Sequence, residues 1–467
     1  MKILLCCADW GIPLGGNAGS SVHLRSLATA LAGLGHEVRL VVSNADGTST
    51  PPLPVEVVAV ERIWPAVQAL VERLRGQRRT AAVAASASPA PASAVLRGQG
   101  GERDAAGESA VGASWKTRLY YDTLPRLADR TQECLFHPLR FGRTISRIMA
   151  EFRPDAVYER YALCQTGAAR AVRTAGGSRV PYLLEVNASL AGERFGPGKS
   201  ATVLGWWSAR EEGRLWRGAD RVLCVSEQLR RLAIAVGAEP SRVLVMPNGV
   251  DVEAFRPDRP KGELRRRIGV GEDTILIGWL GSLSPGRGAE AFLHALAQAL
   301  RLVPEAVGVV IGSGPLDATC RGLAAQLGIA RRVVFVGAVD HERTPDLLVD
   351  LDIAVACYPR RKDFYFSPMK VAEYLACGLP VVCGRTGGPA EMVADGINGL
   401  LVEPDDAGAW GLALARLCRD RGLRAHLGLQ ARRSALAGPT WTGNARLVER
   451  EIMRCRESLA RQRRTRP

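Results

Sequence analysis

Residues 367–404 read SPMKVAEYLACGLPVVCGRTGGPAEMVADGINGLLVEP. Met369–Cys377 repeats apolar residues at helical intervals, with Met369, Ala372, Leu375 and Ala376 on one side and Lys370, Glu373 and Tyr374 near the other. Pro368 stands where a helix loses nothing by a missing N–H, and Gly378 stops the helix. Pro380–Cys383 is then a short apolar run of the kind that parallel sheets bury on both faces. The turn Gly384–Gly388 follows and opens a second helix beside Glu391. Helix, buried strand, glycine turn and helix in one short run predict an open α/β sheet. Helix N-termini and glycine turns at the carboxyl ends of such strands offer amides to phosphate, and a nearby carboxylate accepts from ribose hydroxyls. The stretch therefore predicts a nucleotide site.

The same alternation runs outward. Upstream, strands are expected at Ile275–Leu280, Ala306–Ile311, Val333–Val336 and Ile353–Ala356. Downstream, Ala407–Leu436 reads as one helix, Pro439 interrupts it, and Thr442–Gln462 reads as a basic amphipathic helix. Toward the N-terminus, a strand at Lys2–Cys7, a loop at Gly11–Gly19 (GIPLGGNAG), a helix at Ser20–Leu34 and a strand at Glu37–Val42 make a βαβ unit. Further strands at Val55–Val60, Ala156–Tyr158, Tyr182–Val186, Asp220–Val225 and Val243–Met246 extend it. A chain of 467 residues exceeds what one core supports. The expected architecture is α/β: two doubly wound, Rossmann-like domains facing across a cleft, residues 1–256 and 257–438, with a C-terminal helical segment, 439–467. Gln77–Gly112, rich in Ala, Ser, Pro, Gly and Arg without periodicity, reads as a disordered insertion in the first domain.

Apolar content of 47% and charged content of 23% describe a soluble globular chain. No apolar run approaches the roughly 18 residues a membrane span needs. MKILLCC, followed by Asp9 and Gly11, reads as a first strand rather than a leader, so a cytoplasmic protein is expected. The net charge of +15 lacks the basic clusters with interleaved aromatics that nucleic-acid binding requires, and no nucleic-acid partner is expected. Attraction to anionic phospholipid or to phosphate-bearing nucleotide-sugars fits better. Ile63–Arg75 and Phe136–Phe152 carry arginines beside Phe, Leu and Ile, as ordinary surface helices do and as helices resting on a membrane do. The eleven cysteines include no C-x-x-C, and Cys224, Cys357 and Cys383 lie in apolar runs, as buried reduced thiols. Asp350-Leu-Asp352 runs from a helix end into a buried strand, which favours structural acids. His23, His36, His137 and His341 show no ligand spacing, so neither metal nor cofactor is expected.

Glu373, Gly378, Pro380, Val381, Val382, Gly387, Gly388, Glu391, Asp395, Gly396, Gly399 and Pro404, in register, resemble the signature of retaining GT-B glycosyltransferases of family 4. The resemblance extends to the glycine loop, to Ala219–Asp251 and to most of Leu280–Pro404. It implies transfer of a sugar from a nucleoside-diphosphate donor to an acceptor hydroxyl with retention, in polysaccharide, glycolipid or glycoconjugate synthesis. It also implies that the last helix crosses back onto the first domain. On the donor side, Glu373 would hold the ribose, within an S-P-x-K-x-x-E-Y variant that begins at Ser367, Pro368 and Met369. Gly15, Gly16 and Asn17 would lie beside the donor phosphates, with Gly281, Ser282, Gly312 and Gly314 on the facing loops. Arg287 and Lys370 would neutralise the departing diphosphate. Asn187 stands near the transferred sugar, and Glu159, Arg160 and Glu185 end strands on the acceptor side.

Three positions depart from the family pattern. Tyr365 replaces the first carboxylate of E-x7-E, Ser282 stands where an arginine is common, and Asn187 replaces a histidine. Asparagine donates a hydrogen bond but is no base at neutral pH. A mechanism in which the leaving diphosphate itself receives the acceptor proton needs no protein base. The departures also fit a non-catalytic GT-B protein that binds nucleotide or a partner. A sugar-nucleotide epimerase of similar architecture is a third reading, against which Pro247–Asp251 (PNGVD) and SPMKVAEY speak. A Rossmann oxidoreductase is disfavoured by the missing dinucleotide fingerprint. Sugar, base and acceptor stay open.

Overall fold

Short apolar segments buried on both faces form two parallel sheets. In this computed structural model the described residues are 1–46, 53–60, 134, 136–175, 179–193, 203–360 and 367–464. The 77–112 segment, Ile63–Arg75 and Tyr365 lie outside them. The first sheet contains β1 (Lys2–Cys7), β2 (Glu37–Val42), β3 (Glu56–Ala59), β4 (Ala156–Arg160), β5 (Tyr182–Val186), β6 (Arg221–Cys224) and β7 (Val243–Val245), ordered β3-β2-β1-β4-β5-β6-β7. The second contains β8 (Leu276–Leu280), β9 (Val307–Ile311), β10 (Val333–Gly337), β11 (Ile353–Ala356), β12 (Val381–Gly384) and β13 (Gly399–Val402), ordered β10-β9-β8-β11-β12-β13. Strand order reverses beside β1 and beside β8. Open α/β sheets bind ligands at the carboxyl edge of such a reversal.

The sequence reading needs correction at two places. Residues 399–402 form an edge strand, β13, that the sequence did not announce, because four residues between Asn398 and Glu403 carry too little pattern. The expected single helix at 407–436 is two, Ala407–Arg419 and Arg421–Ala437. Asp420 ends the first and caps the second by accepting from the Leu423 amide at 2.8 Å. Helical periodicity continues through such a break and hides it. On the Met369–Ala376 helix both Glu373 and Tyr374 are buried, and the Tyr374 hydroxyl accepts from the Leu280 amide at 2.7 Å.

The Trp441–Arg464 helix packs on the first domain, burying Ala445, Val448 and Ile452 in the cluster that holds Ile3, Leu5 and Leu27. Glu451 on this helix pairs with Arg221 at 2.6 Å, and Arg456 with Asp155 at 2.8 Å. The two connections between domains run side by side: the Val250 amide donates to the Pro439 carbonyl at 3.2 Å, and Asn444 Nδ2 donates to Pro247 O at 2.8 Å. The cysteines are unbridged and, apart from half-buried Cys418, buried.

Candidate functional site

The Met369–Ala376 helix begins at the cleft, and its first two turns supply the main polar groups of the second domain. The stem of Lys370 is half-buried, but its Nζ is shut off from solvent and has no hydrogen-bond partner among the described residues. The amine lies 4.3 Å from the Trp279 ring centroid and 5.2 Å from that of Tyr358. Aromatic faces attract a cation but do not replace hydration. Burial, reinforced by the Arg287 charge and opposed by Cys357 and Glu373, brings the Lys370 pKa down to about 7. Glu373, one turn on, is buried at 4% exposure, and its Oε1 lies 2.8 Å from His341 Nε2. Arg287 is exposed at the cleft-side turn after β8, and Ser282 Oγ pairs with Ser284 Oγ at 2.7 Å.

The loops after β8 and β9 meet backbone to backbone. Gly281 N donates to Ile311 O at 2.9 Å, and a Cβ on Gly312, whose φ is 129°, would come 2.0 Å from Gly281 O. Gly314 is equally confined, against Leu283 O at 2.5 Å. Of the close approaches open to these glycines, the structure shows the one between backbones.

Across the cleft, the Gly19–Gly33 helix starts without a side-chain cap; the Ser21 and Val22 amides donate to Ala18 O, so the Gly19 and Ser20 amides and the positive dipole end are what the helix offers an anion. In the glycine loop the Gly15 amide donates to Asp46 O in the segment after β2 and the Gly16 amide to Pro13 O, at 3.0 Å each. Arg25 braces the same loop, donating from Nη1 to Leu14 O and Gly16 O at 2.7 Å. The helix start meets the second domain directly: a Cβ on Gly19 would lie 3.5 Å from Met369 Sδ. Asn17 Nδ2 donates to Asp340 Oδ1 at 2.9 Å, and Asn248 donates to both Ser367 Oγ (3.1 Å) and Ser367 O (2.6 Å). Gly19, Ser367, Pro368 and Met369 thus share one place, with Lys370 and Glu373 on the next turn.

The acceptor-side residues divide between two faces of the first sheet. Glu159 and Arg160 are neighbours on β4 and point to opposite faces of the sheet. Arg160 Nη1 approaches Glu185 Oε1 at 3.3 Å. Glu159 is in the core, accepting from the Tyr182 hydroxyl, and burial pushes its pKa up to about 7. Glu185 is as deeply buried, yet the charges of His23 and Arg160 and the Tyr158 hydroxyl outweigh that burial and hold it at about 2. His23 Nε2 lies 2.7 Å from Glu185 Oε1, and His23 Nδ1 lies 2.7 Å from Asn248 Oδ1. Asn187 donates from Nδ2 to Glu185 Oε1. Asn187, Glu185, His23, Asn248 and Ser367 therefore form a continuous polar chain from the acceptor-side sheet to the donor-side helix. A separate cavity of about 340 Å³ opens at the edge of β1 and β4, lined by Asp9, Leu163, Gln165, Leu190 and Glu193 among others.

Sequence reasoning passed over His341, His23 and Asn248. In the sequence these histidines read only as candidate metal ligands, and the Pro247–Gly249 run only as a turn. The available signal was the position of each just beyond a strand or at a helix start. Asp350 and Asp352 are structural: Asp350 accepts from the Gly262 and Leu264 amides at 2.5 and 2.7 Å, and Asp352 pairs with Arg265 at 2.9 Å.

Two doubly wound domains meeting at such a cleft constitute the GT-B architecture. Across 97% of this chain and all of the other, the fold matches the crystal structure of Anabaena Alr3699/HepE in complex with UDP, with a TM-score of 0.66 and 18% identity. Sucrose-phosphate synthase from Thermosynechococcus elongatus matches 98% of the chain and all of its own, with a TM-score of 0.66 and 17% identity. Residues 260–434 match the model of the glycosyl transferases group 1, and residues 18–249 match that of the glycosyl transferase 4-like domain. Together the two matches support a GT-B glycosyltransferase of group 1. A GDP-mannose-dependent alpha-(1-6)-phosphatidylinositol monomannoside mannosyltransferase from Mycolicibacterium smegmatis is 35% identical over 243 residues, which are 50% of this chain and 63% of that one. A D-inositol 3-phosphate glycosyltransferase from Acidothermus cellulolyticus is 34% identical over 236 residues, 46% of this chain and 51% of that one. The matched part thus spans between half and two thirds of these relatives' lengths.

Proposed function

We propose that the protein transfers a hexosyl group from a nucleoside-diphosphate sugar to an acceptor hydroxyl, with retention at the anomeric carbon and without a metal. The observation that carries this reading is the buried Lys370 amine, without a hydrogen-bond partner among the described residues, one turn from Glu373 and beside the uncapped start of the Gly19–Gly33 helix. A buried amine without an acceptor is costly unless an anion completes it. A diphosphate between Lys370, Arg287 and the helix amides would do so, while Glu373 would accept from the ribose. In the transfer step, the acceptor oxygen bonds to the anomeric carbon as the bond from that carbon to the diphosphate oxygen breaks. The acceptor proton passes to the leaving phosphate oxygen. The cations stabilise the charge that develops there, which is the main electrostatic task. Asn187, tethered to Glu185, acts only by hydrogen bonding.

The curated relatives are named for GDP-mannose and for inositol-containing acceptors, which makes GDP-mannose the first donor to try. A glycolipid or other glycoconjugate intermediate at an anionic membrane surface is the acceptor setting we favour. On the Phe136 side, Leu139 is 48% exposed beside exposed Arg143 and Arg147. The test is incubation with GDP-mannose and UDP-glucose against an acceptor panel, with and without EDTA, and proton NMR of the product. The reading expects a product of the donor's own anomeric configuration at an EDTA-independent rate. An inverted product, or turnover that EDTA abolishes, would contradict it.

A further inference from the structure

The turn after β10 touches three parts of the site with three consecutive side chains. Asp340 Oδ1 accepts from Asn17 Nδ2 in the glycine loop at 2.9 Å. Glu342 Oε1 lies 3.6 Å from Nη2 of Arg25, the arginine that braces that loop. Between them His341 turns inward, its ring 5.3 Å from that of buried Phe255 and its Nε2 2.8 Å from Glu373 Oε1. Both neighbours grip the first domain, so the turn presents His341 to Glu373 in the arrangement in which the two domains meet.

We propose that His341 is a positioning residue for donor binding: it holds Oε1 of Glu373 and thereby aims the other carboxylate oxygen at the ribose hydroxyls. This rests on the reading of Glu373 as the donor-ribose carboxylate. A carboxylate on a helix rotates about its terminal torsion with little resistance. A single N–H donor fixes that rotation while leaving the second oxygen able to accept. Phe255 fixes the imidazole plane in turn. The charged groups facing His341 are Glu373, Glu342 and Arg25. Burial and Arg25 lower the histidine's pKa, but the two carboxylates outweigh them and raise it above its ordinary value. Among the described residues, His341 Nε2 is the hydrogen-bond donor seen at Glu373 Oε1.

The experiment measures dissociation constants of UDP, GDP, dTDP and ADP by equilibrium dialysis. The proteins are wild type, His341→Ala, His341→Gln, Glu373→Gln and the His341→Ala/Glu373→Gln double variant, each checked for an unchanged melting temperature. For the nucleotide that binds wild type, His341→Ala is expected to weaken binding about tenfold, the effect of losing one charge-assisted hydrogen bond. His341→Gln, whose amide can still donate, recovers most of that loss. In the Glu373→Gln background, His341→Ala has little further effect, because the two residues act as a unit. In turnover, the loss appears in the donor KM and not in the acceptor KM. If Glu373→Gln weakens binding while His341→Ala leaves it unchanged, the inference is wrong and the donor-site reading survives. If Glu373→Gln leaves binding unchanged, or none of the four nucleotides binds, both are wrong. Additive losses in the double variant would also overturn the positioning role.

Discussion

Donor binding should draw a proton onto Lys370. Burial holds this amine near pKa 7, where a lysine is normally far higher. At pH 7 it is therefore about half protonated. A diphosphate within hydrogen-bonding distance supplies the missing acceptor and an opposite charge, and both restore the ammonium form. The predicted uptake is about 0.5 proton per nucleotide at pH 7, rising toward about 0.9 at pH 8 and falling to about 0.1 at pH 6. Calorimetric titration in phosphate and in Tris, whose ionisation enthalpies differ, reads this number from the change in apparent heat. Lys370→Met keeps the stem between Trp279 and Tyr358 and removes the proton. It should abolish the buffer dependence attributable to Lys370 and weaken nucleotide binding by about 10- to 100-fold, the range for a charge-assisted bond to phosphate. The nucleotide's own phosphate ionisation is common to both proteins, so the difference between them is the relevant quantity. Equal buffer dependence in wild type and variant would refute the placement of phosphate on Lys370.

Other consequences are as direct. Glu159 is raised from 4.5 to about 7 by burial, so its stabilising contribution is full below pH 4.5 and lost as pH rises through 7, about 3 kcal/mol in all. Urea unfolding of wild type should therefore weaken from pH 5 to pH 8, and Glu159→Gln should flatten that slope; an unchanged slope would contradict the burial argument. Gly312→Ala places a Cβ 2.0 Å from Gly281 O at a φ of 129° and should lower the melting temperature sharply, at a cost above about 2 kcal/mol. Asn248→Ala cuts the link between His23 and Ser367 and should lower kcat about tenfold, with nucleotide affinity little changed, in steady-state assays. Co-sedimentation with phosphatidylglycerol vesicles should occur at low salt and fade at high salt, within the screening range of surface charge; no binding at low salt would end the membrane reading.

The strands and the two-domain plan were legible because parallel strands buried on both faces leave long apolar runs. The glycine-terminated Met369–Ala376 helix could be read for the same reason, since its period and its stop signal agree. Edge strand β13 and the break at Asp420 were not legible: one is too short for a pattern, and the other preserves the helical phase. At the site, Glu373 and Lys370 could be named from their motif. That Gly15 and Gly16 spend their amides on Asp46 and Pro13 could not, because hydrogen-bond bookkeeping in a loop depends on which distant carbonyls arrive. The same holds for His341 and His23, whose partners lie 32 and 162 residues away in the chain, Glu373 (373 − 341) and Glu185 (185 − 23).

The most direct test of the account is calorimetric titration of UDP, GDP, dTDP and ADP into wild type and into Glu373→Ala. The account predicts that one of the four binds wild type and that the alanine variant loses it. Binding to neither protein would contradict the account and favour a GT-B fold without a working donor site, with Ser282, Asn187 and Tyr365 as the positions to study. Equal binding to both would mean that the nucleotide sits somewhere other than the cleft beside Glu373.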